Sequence, residues 1–235
     1  MSPPLPGPTL LRQRWLDVAF LHWQVDAERA AARLPAGLRP HQLDGTTYIG
    51  LVCFRLVGAG LARGPAMLPP FVETNVRLYA VNERGRTGVV FLSMDVSSPV
   101  MAASGRAVGL PYRWARAAHR RSGAEHEYAT LLPRRGEPRL RSRVSIRPDD
   151  GASPDQHPGL TSFLTERWAL FAPRLGRTWY LPNTHEAWPL QPASVTTLDD
   201  DLVPAAGFPE VAGRAPDHVA FSPGVSARFG SPAAL

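Results

Sequence analysis

The sequence predicts a mainly antiparallel β protein of the α+β class, a barrel or curled sheet carrying two or three helices. Three observations predict it. Runs of β-branched and aromatic residues of strand length recur along the chain, separated by turns rich in glycine and in the 25 scattered prolines. Few segments carry helix caps and stops. Strands and helices do not alternate as a doubly wound parallel sheet requires, and nothing repeats at a fixed period.

In chain order, residues 12–25 (RQRWLDVAFLHWQV) read as an aromatic strand. Asp26 caps a short helix, AERAAARL, which Pro35 ends. Residues 46–57 (TTYIGLVCFRLV) are almost continuously apolar and β-branched, as in a strand buried on both faces. Gly58 to Pro70 reads as a loop. FVETNVRLYAV (71–81) and GVVFLSMDV (88–96) are strands joined by a turn that contains Asn82 and Gly85. Ser98 and Pro99 are N-cap and first residue of a helix through Ala107, broken by Gly109-Leu110-Pro111. The strands EHEYATLL and RLRSRVSIR follow. In the second, Arg139, Arg141, Arg143, Ser145 and Arg147 share a face opposite Leu140, Val144 and Ile146. Solvent is the default reading of that face and a polar barrel interior is the other. Thr161 to Ala172 (TSFLTERWALFA) reads as the best helix, capped by Thr161 or Ser162 and stopped by Pro173. Short strands and turns fill the remainder.

Composition removes whole classes of chemistry. All 26 basic residues are arginine, so no lysine can condense with a carbonyl, act as general base or clamp a phosphate. The net charge of +6 comes without a helix-turn-helix, zinc-finger or RNA-binding signature, and no nucleic-acid partner is expected. Cys53, the single cysteine, lies in an apolar run and forms no internal disulfide, which fits a small buried hydrophobe in a reducing cytosol. There is no signal peptide and no run of about 18 apolar residues, so a cytoplasmic protein without a membrane partner is expected. Nucleotide-binding glycine loops, Gly-x-Ser-x-Gly and His-Glu-x-x-His are missing, and the seven histidines are dispersed. No metal and no cofactor is expected.

Three segments can carry chemistry. Alternation along 73–79 places Glu73, Asn75, Arg77 and Tyr79 on one face. That face is either solvated or lines a pocket, with arginine holding a carboxylate and glutamate moving protons. Arg106-Ala-Val-Gly-Leu-Pro-Tyr112-Arg113 contains a rigid Gly-x-Pro turn that either simply stops the helix or holds Tyr112 and Arg113 at fixed angles. His185 lies among Glu186, Trp188 and a proline turn, as a neutral structural histidine or an acid/base.

These residues belong to a longer pattern: Phe20-Leu-His-Trp23, Leu34-Pro-Ala-Gly-Leu38, Asp44-Gly45, Tyr48-Ile-Gly-Leu-Val-Cys-Phe-Arg55, Glu73-Thr-Asn-Val-Arg77, Gly109-Leu-Pro-Tyr112, Phe163-Leu-Thr-Glu-Arg167, His185-Glu-Ala-Trp-Pro-Leu190 and Phe221-Ser-Pro-Gly224. On their order and spacing, nearly the whole chain resembles the YqjF-like family of uncharacterised proteins. That family looks like a distant branch of the acetoacetate decarboxylase superfamily. The resemblance implies a cone-shaped antiparallel β-barrel with two or three peripheral helices around an apolar pocket. Residues 1–10 would be a flexible tail and 11–235 a single barrel domain.

Acetoacetate decarboxylases carry adjacent lysines after a Gly-x-Pro turn, and the similar turn here is followed by Tyr112 and Arg113. The resemblance therefore implies a pocket without imine chemistry. The expected function is acid/base catalysis on an oxo-acid or polyketide-like carbonyl compound, of lyase, hydratase, tautomerase or cyclase type. Glu73, Tyr112 and His185 are the candidate catalytic residues, and Arg77, Arg113 and Asn75 the candidate substrate-binding ones. The alternative is a non-catalytic module that binds an anionic or carbonyl-containing small molecule. Homo-oligomerisation is left open.

Overall fold

A computed structural model describes residues 2–133, 139–149 and 157–235. The elements are β1 (Leu11–Val25), α1 (Ala27–Ala31), β2 (Leu38–Pro40), β3 (Thr47–Leu61), β4 (Phe71–Asn82), β5 (Thr87–Val96), α2 (Pro99–Ala107), β6 (Tyr112–Trp114), β7 (Arg116–Ser122), β8 (Glu125–Leu132), β9 (Leu140–Pro148), α3 (Pro158–Thr165), β10 (Ala169–Arg174), β11 (Arg177–His185), β12 (Gln191–Asp200), α4 (Leu202–Ala205), β13 (His218–Phe229) and β14 (Ala233–Ala234). The local chemistry read from sequence recurs at two of the three expected caps; the third, Thr161 or Ser162, lies inside α3, which begins at Pro158 after His157 without a side-chain cap. Asp26 accepts from the Arg29 backbone N–H at α1, and Ser98 from that of Met101 at α2, with Pro99 opening the helix.

The strands close into a ring. β10, β5, β4, β3, β1, β13 and β11 pair in that order, and β11 pairs in turn with β10, so every long strand has two neighbours. The pairings are antiparallel except β5 with β10 and β5 with β6. This mostly antiparallel, cone-like sheet is the expected architecture. A second sheet, β7-β8-β9-β12, branches from β13 and covers the outer surface of β1, β3 and β4. The resulting core holds Leu21, Trp23, Leu51, Val76 and Leu78 from the ring against Tyr128, Val144, Ile146 and Phe208. A second core lies inside the ring, around Phe20, Val52, Phe54, Val96 and Tyr112.

Three readings change. β3 continues to Leu61, past Gly58, whose positive φ of 68° accommodates the bend where a loop was expected. The helix expected over Thr161–Ala172 is α3, ending at Thr165, and residues from Ala169 are strand β10. An apolar run of that length suits either period, and the unpaired backbone edges of β5 and β11 decide for strand. Arg116–Ser122 is an exposed strand that the sequence reading passed over. At the N-terminus, Thr184 Oγ1 donates to the Pro3 carbonyl at 3.0 Å, and Leu5 lies beside Gly230.

The arginine face of β9 points to solvent. Arg141, Arg143 and Arg147 are exposed and pair with Asp199, Glu127 and Glu125. No described helix is long and apolar enough to cross a membrane.

Candidate functional site

The Glu73 face of β4 points into the ring. Glu73 is 2% exposed, Asn75 3% and Tyr79 0%, with Arg77 half-buried between them. Register explains the company they keep. Asn75 lies opposite Val52 and Met94, Glu73 opposite Phe54 and Val96, and Met94 pairs with Tyr112 of β6. Because side chains alternate along a strand, all of these project to the same side.

Glu73, Asn75 and Tyr112 form one group. Asn75 Nδ2 donates to Glu73 Oε1 at 3.4 Å. Burial among apolar side chains pushes the Glu73 carboxyl up to about 8; the Asn75 bond opposes this, the charge of Asp95 adds to it, and the Tyr112 phenol opposes it. Tyr112 is itself raised well above the ordinary phenol range, by burial first and then by Glu73. Glu73 Oε2 and Asn75 Oδ1 have no hydrogen-bond partner among the described residues. The Tyr112 ring is set by α2: a side chain at Gly105 would overlap it, so glycine there is what lets the phenol approach Glu73.

Arg113 is not part of this group. Tyr112 and Arg113 are successive residues of a strand and therefore face opposite ways. Arg113 makes a two-pronged pair with Asp95, 2.5 Å from Nε to Oδ1 and 2.7 Å from Nη2 to Oδ2, and Asp95 is completely buried. The guanidinium that sequence reading reserved for a substrate carboxylate already holds one from the protein.

His185 is also placed elsewhere. Its Nδ1 donates to the Glu186 carbonyl at 2.7 Å, and its ring is surrounded by Trp168, Trp188 and Trp15 at 4.5, 4.8 and 5.8 Å. Burial lowers its proton affinity, so the imidazole is neutral at neutral pH. Trp188 links this aromatic group to the ring interior through an edge contact with Phe20 and donates to the Thr165 carbonyl at 3.1 Å.

Arg77 leans away from Glu73, towards the end of the ring that α3 occupies. Its Nε donates to Tyr79 Oη at 3.2 Å and its Nη2 to the Leu164 carbonyl at 3.0 Å. Tyr79 Oη donates to the same carbonyl, at 3.1 Å. Arg167, just beyond α3, lies over the Tyr79 ring at 4.9 Å, and Arg77 is 5.5 Å from that ring. His22 of β1 completes this corner, fully buried, with its Nδ1 3.0 Å from Nδ1 of His218. Arg167 and His22 are not among the residues that strand alternation or turn chemistry marks as candidates. The available signal was a charged or titratable residue inside an apolar run, in Thr-Glu-Arg-Trp-Ala-Leu-Phe and Ala-Phe-Leu-His-Trp.

Two clefts are open to solvent. One of about 570 Å³ is bordered by Leu92, Arg106, Arg113 and the Gly109–Tyr112 turn, and one of about 480 Å³ runs between β7, β8 and β9.

This cone-like ring of mostly antiparallel strands is the fold of acetoacetate decarboxylase-like proteins. An enzyme so described from Sphingomonas wittichii RW1 superposes with a TM-score of 0.66 at 14% identity, covering 97% of this chain and 94% of that one. The enduracididine biosynthesis enzyme MppR, solved with HEPES buffer bound, gives 0.64 at 18% identity, covering 98% and 89%; it has also been solved complexed with pyruvate. The chain itself belongs to the DUF2071 family of uncharacterized conserved proteins, matching it over residues 12–226. The uncharacterized protein YqjF of Bacillus subtilis (strain 168) is 29% identical over 202 residues, 83% of this chain and 82% of YqjF.

Proposed function

We propose that the protein is an enzyme that acts on a small oxo acid or polyketide-like carbonyl compound by non-covalent acid/base catalysis at Glu73. The carrying observation is a carboxyl 2% exposed, facing the ring interior, with no ion pair among the described residues and no hydrogen-bond partner there for its Oε2. Such a group holds its proton at neutral pH and can hand it to a carbonyl oxygen or a carbanionic carbon. As a carboxylate it can take a proton back from an adjacent carbon. Tyr112 lies where a phenol stabilises developing negative charge on oxygen, and the free Asn75 Oδ1 accepts from a substrate hydroxyl or enol. Tautomerase, hydratase, lyase and cyclase chemistry all use these elements. Imine chemistry on lysine is excluded by composition.

The test is turnover of a panel of 2- and 3-oxo acids and short acyl carbonyl compounds by wild type, Glu73→Gln and Tyr112→Phe. Glu73→Gln is expected to lower kcat about 10²–10⁴-fold with ligand binding retained. Unchanged turnover in both variants would overturn the assignment. Saturable binding with every ligand recovered unaltered by wild type would establish the non-catalytic module instead.

A further inference from the structure

We infer that Arg77 and Arg167, with Tyr79 and His22, form a buried anion site that takes the carboxylate of the substrate. The inference deepens the reading above by naming the substrate as an acid and assigning the groups that hold its charge.

Two guanidinium groups converge on one aromatic ring, at 5.5 Å and 4.9 Å, and among the described residues neither has an ion pair. Glu166, the next residue along, pairs with neither. Arg167 is 8% exposed. Its Nη1 lies 2.9 Å from His41 Nδ1, its Nη2 donates to the Phe163 carbonyl, and its Nε has no partner. Nε2 of the fully buried His22 is also unpartnered. That nitrogen borders the same space as Tyr79 Oη: a Cβ built on Gly50 would sit 3.2 Å from the first and 3.1 Å from the second. Glycine at 50 lets the strand pass close to the His22 ring and the Tyr79 hydroxyl, with the unpartnered Arg167 Nε and His22 Nε2 in the same buried corner.

Among the described residues, the anionic partners of the two guanidinium groups are partial ones. The carbonyls of Phe163 and Leu164, in the last turn of α3, accept from Arg167, Arg77 and Tyr79. A helix C-terminus offers about half an elementary negative charge, against two full positive charges. Desolvated like charges left in this way are expensive to keep, and a bound carboxylate neutralises them through charge-assisted hydrogen bonds.

Position along β4 adds a constraint on the acid. Arg77 lies four residues from Glu73 on the same face, roughly 13 Å of strand, and its side chain leans further away. An acid with its carboxylate held here brings to Glu73 a carbonyl several bonds along its chain. Longer keto acids are therefore favoured over pyruvate.

The experiment is thermal unfolding and calorimetric titration with pyruvate, 5-oxohexanoate, 7-oxooctanoate and the matching amides. The expected result is a midpoint raised by about 5 °C or more at 100 times Kd for the longer acids, and no rise with the amides. Arg167→Met, which keeps length and removes charge, is expected to leave the ligand-free midpoint equal or higher and to weaken acid binding at least tenfold. Arg77→Met does the same to binding. If Arg167 only capped α3, Arg167→Met would instead lower the ligand-free midpoint and leave the affinity of folded protein unchanged, and Arg167→Lys would restore stability. That outcome, or the lack of a shift with every acid, overturns the anion site. Binding that is lost in both arginine variants but intact in Glu73→Gln, with turnover also intact there, would keep the anion site and sink the acid/base role of Glu73.

Discussion

Replacing Glu73 by Gln tests whether this carboxyl carries a proton at neutral pH. The substitution keeps shape, keeps an oxygen to accept from Asn75 Nδ2, and removes the titration. In the folded protein the carboxyl is pushed from its ordinary 4.5 up to about 8, first by burial, so between those values the native state binds more protons than the unfolded chain. Stability from this group is therefore complete below about pH 4.5 and falls as pH rises, by about 1.4 kcal/mol per unit, until about pH 8. The whole effect is on the order of 4–5 kcal/mol, with little discount for solvent because Glu73 is 2% exposed. Glu73→Gln lacks this slope. Urea unfolding of both proteins, followed by tryptophan fluorescence at pH 5, 6, 7 and 8, measures the difference. Asp200, which burial also raises, to about 6, is present in both proteins and cancels. The advantage of the variant should grow steadily from pH 5 and level off above pH 8. A difference constant to within about 0.5 kcal/mol over that range would refute the argument, since it would mean that Glu73 titrates as an ordinary carboxyl.

Other substitutions separate framework from site. Arg113→Met strips the buried Asp95 of its partner and should lower stability by about 2–4 kcal/mol in urea unfolding, while acid affinity stays unchanged; a raised Kd would return Arg113 to the site. Gly105→Ala brings a methyl group into the Tyr112 ring. Its gain of about 1 kcal/mol in helix propensity should be outweighed by the displaced phenol, with turnover falling more than stability, and a variant as active as wild type would contradict the placement of Tyr112. Gly224 has φ of 131° and lies against the Trp15 carbonyl, a backbone atom that cannot swing aside. Gly224→Ala should lose about 2–4 kcal/mol, and a loss under about 0.5 kcal/mol would count against that packing.

How far the site was legible depended on the kind of information each residue carries. Period-two alternation put Glu73, Asn75 and Arg77 on one face of a strand, and they share it. The same alternation, applied to the three-residue strand after Pro111, separates Tyr112 from Arg113. That strand is too short to declare a period, and pairing with β5 is what makes it extended. α2 was readable because its cap and first-turn proline act within four residues. The end of α3 was not, because its last turn is bounded by contacts with Arg77, Tyr79 and Trp188, each from a distant part of the chain.

The sequence by itself determined that no lysine takes part in the chemistry, which residues share the β4 face, and where the two capped helices begin. Each of these follows from composition or from interactions within a few residues. Only the tertiary structure decided that the β4 face is enclosed, because closure depends on β13 meeting both β1 and β11. It also decided that Arg113 answers to Asp95, and that Arg167 and His22 join Arg77 around Tyr79. An isolated strand has two equivalent faces, and only the elements that pack against it decide which one leaves water.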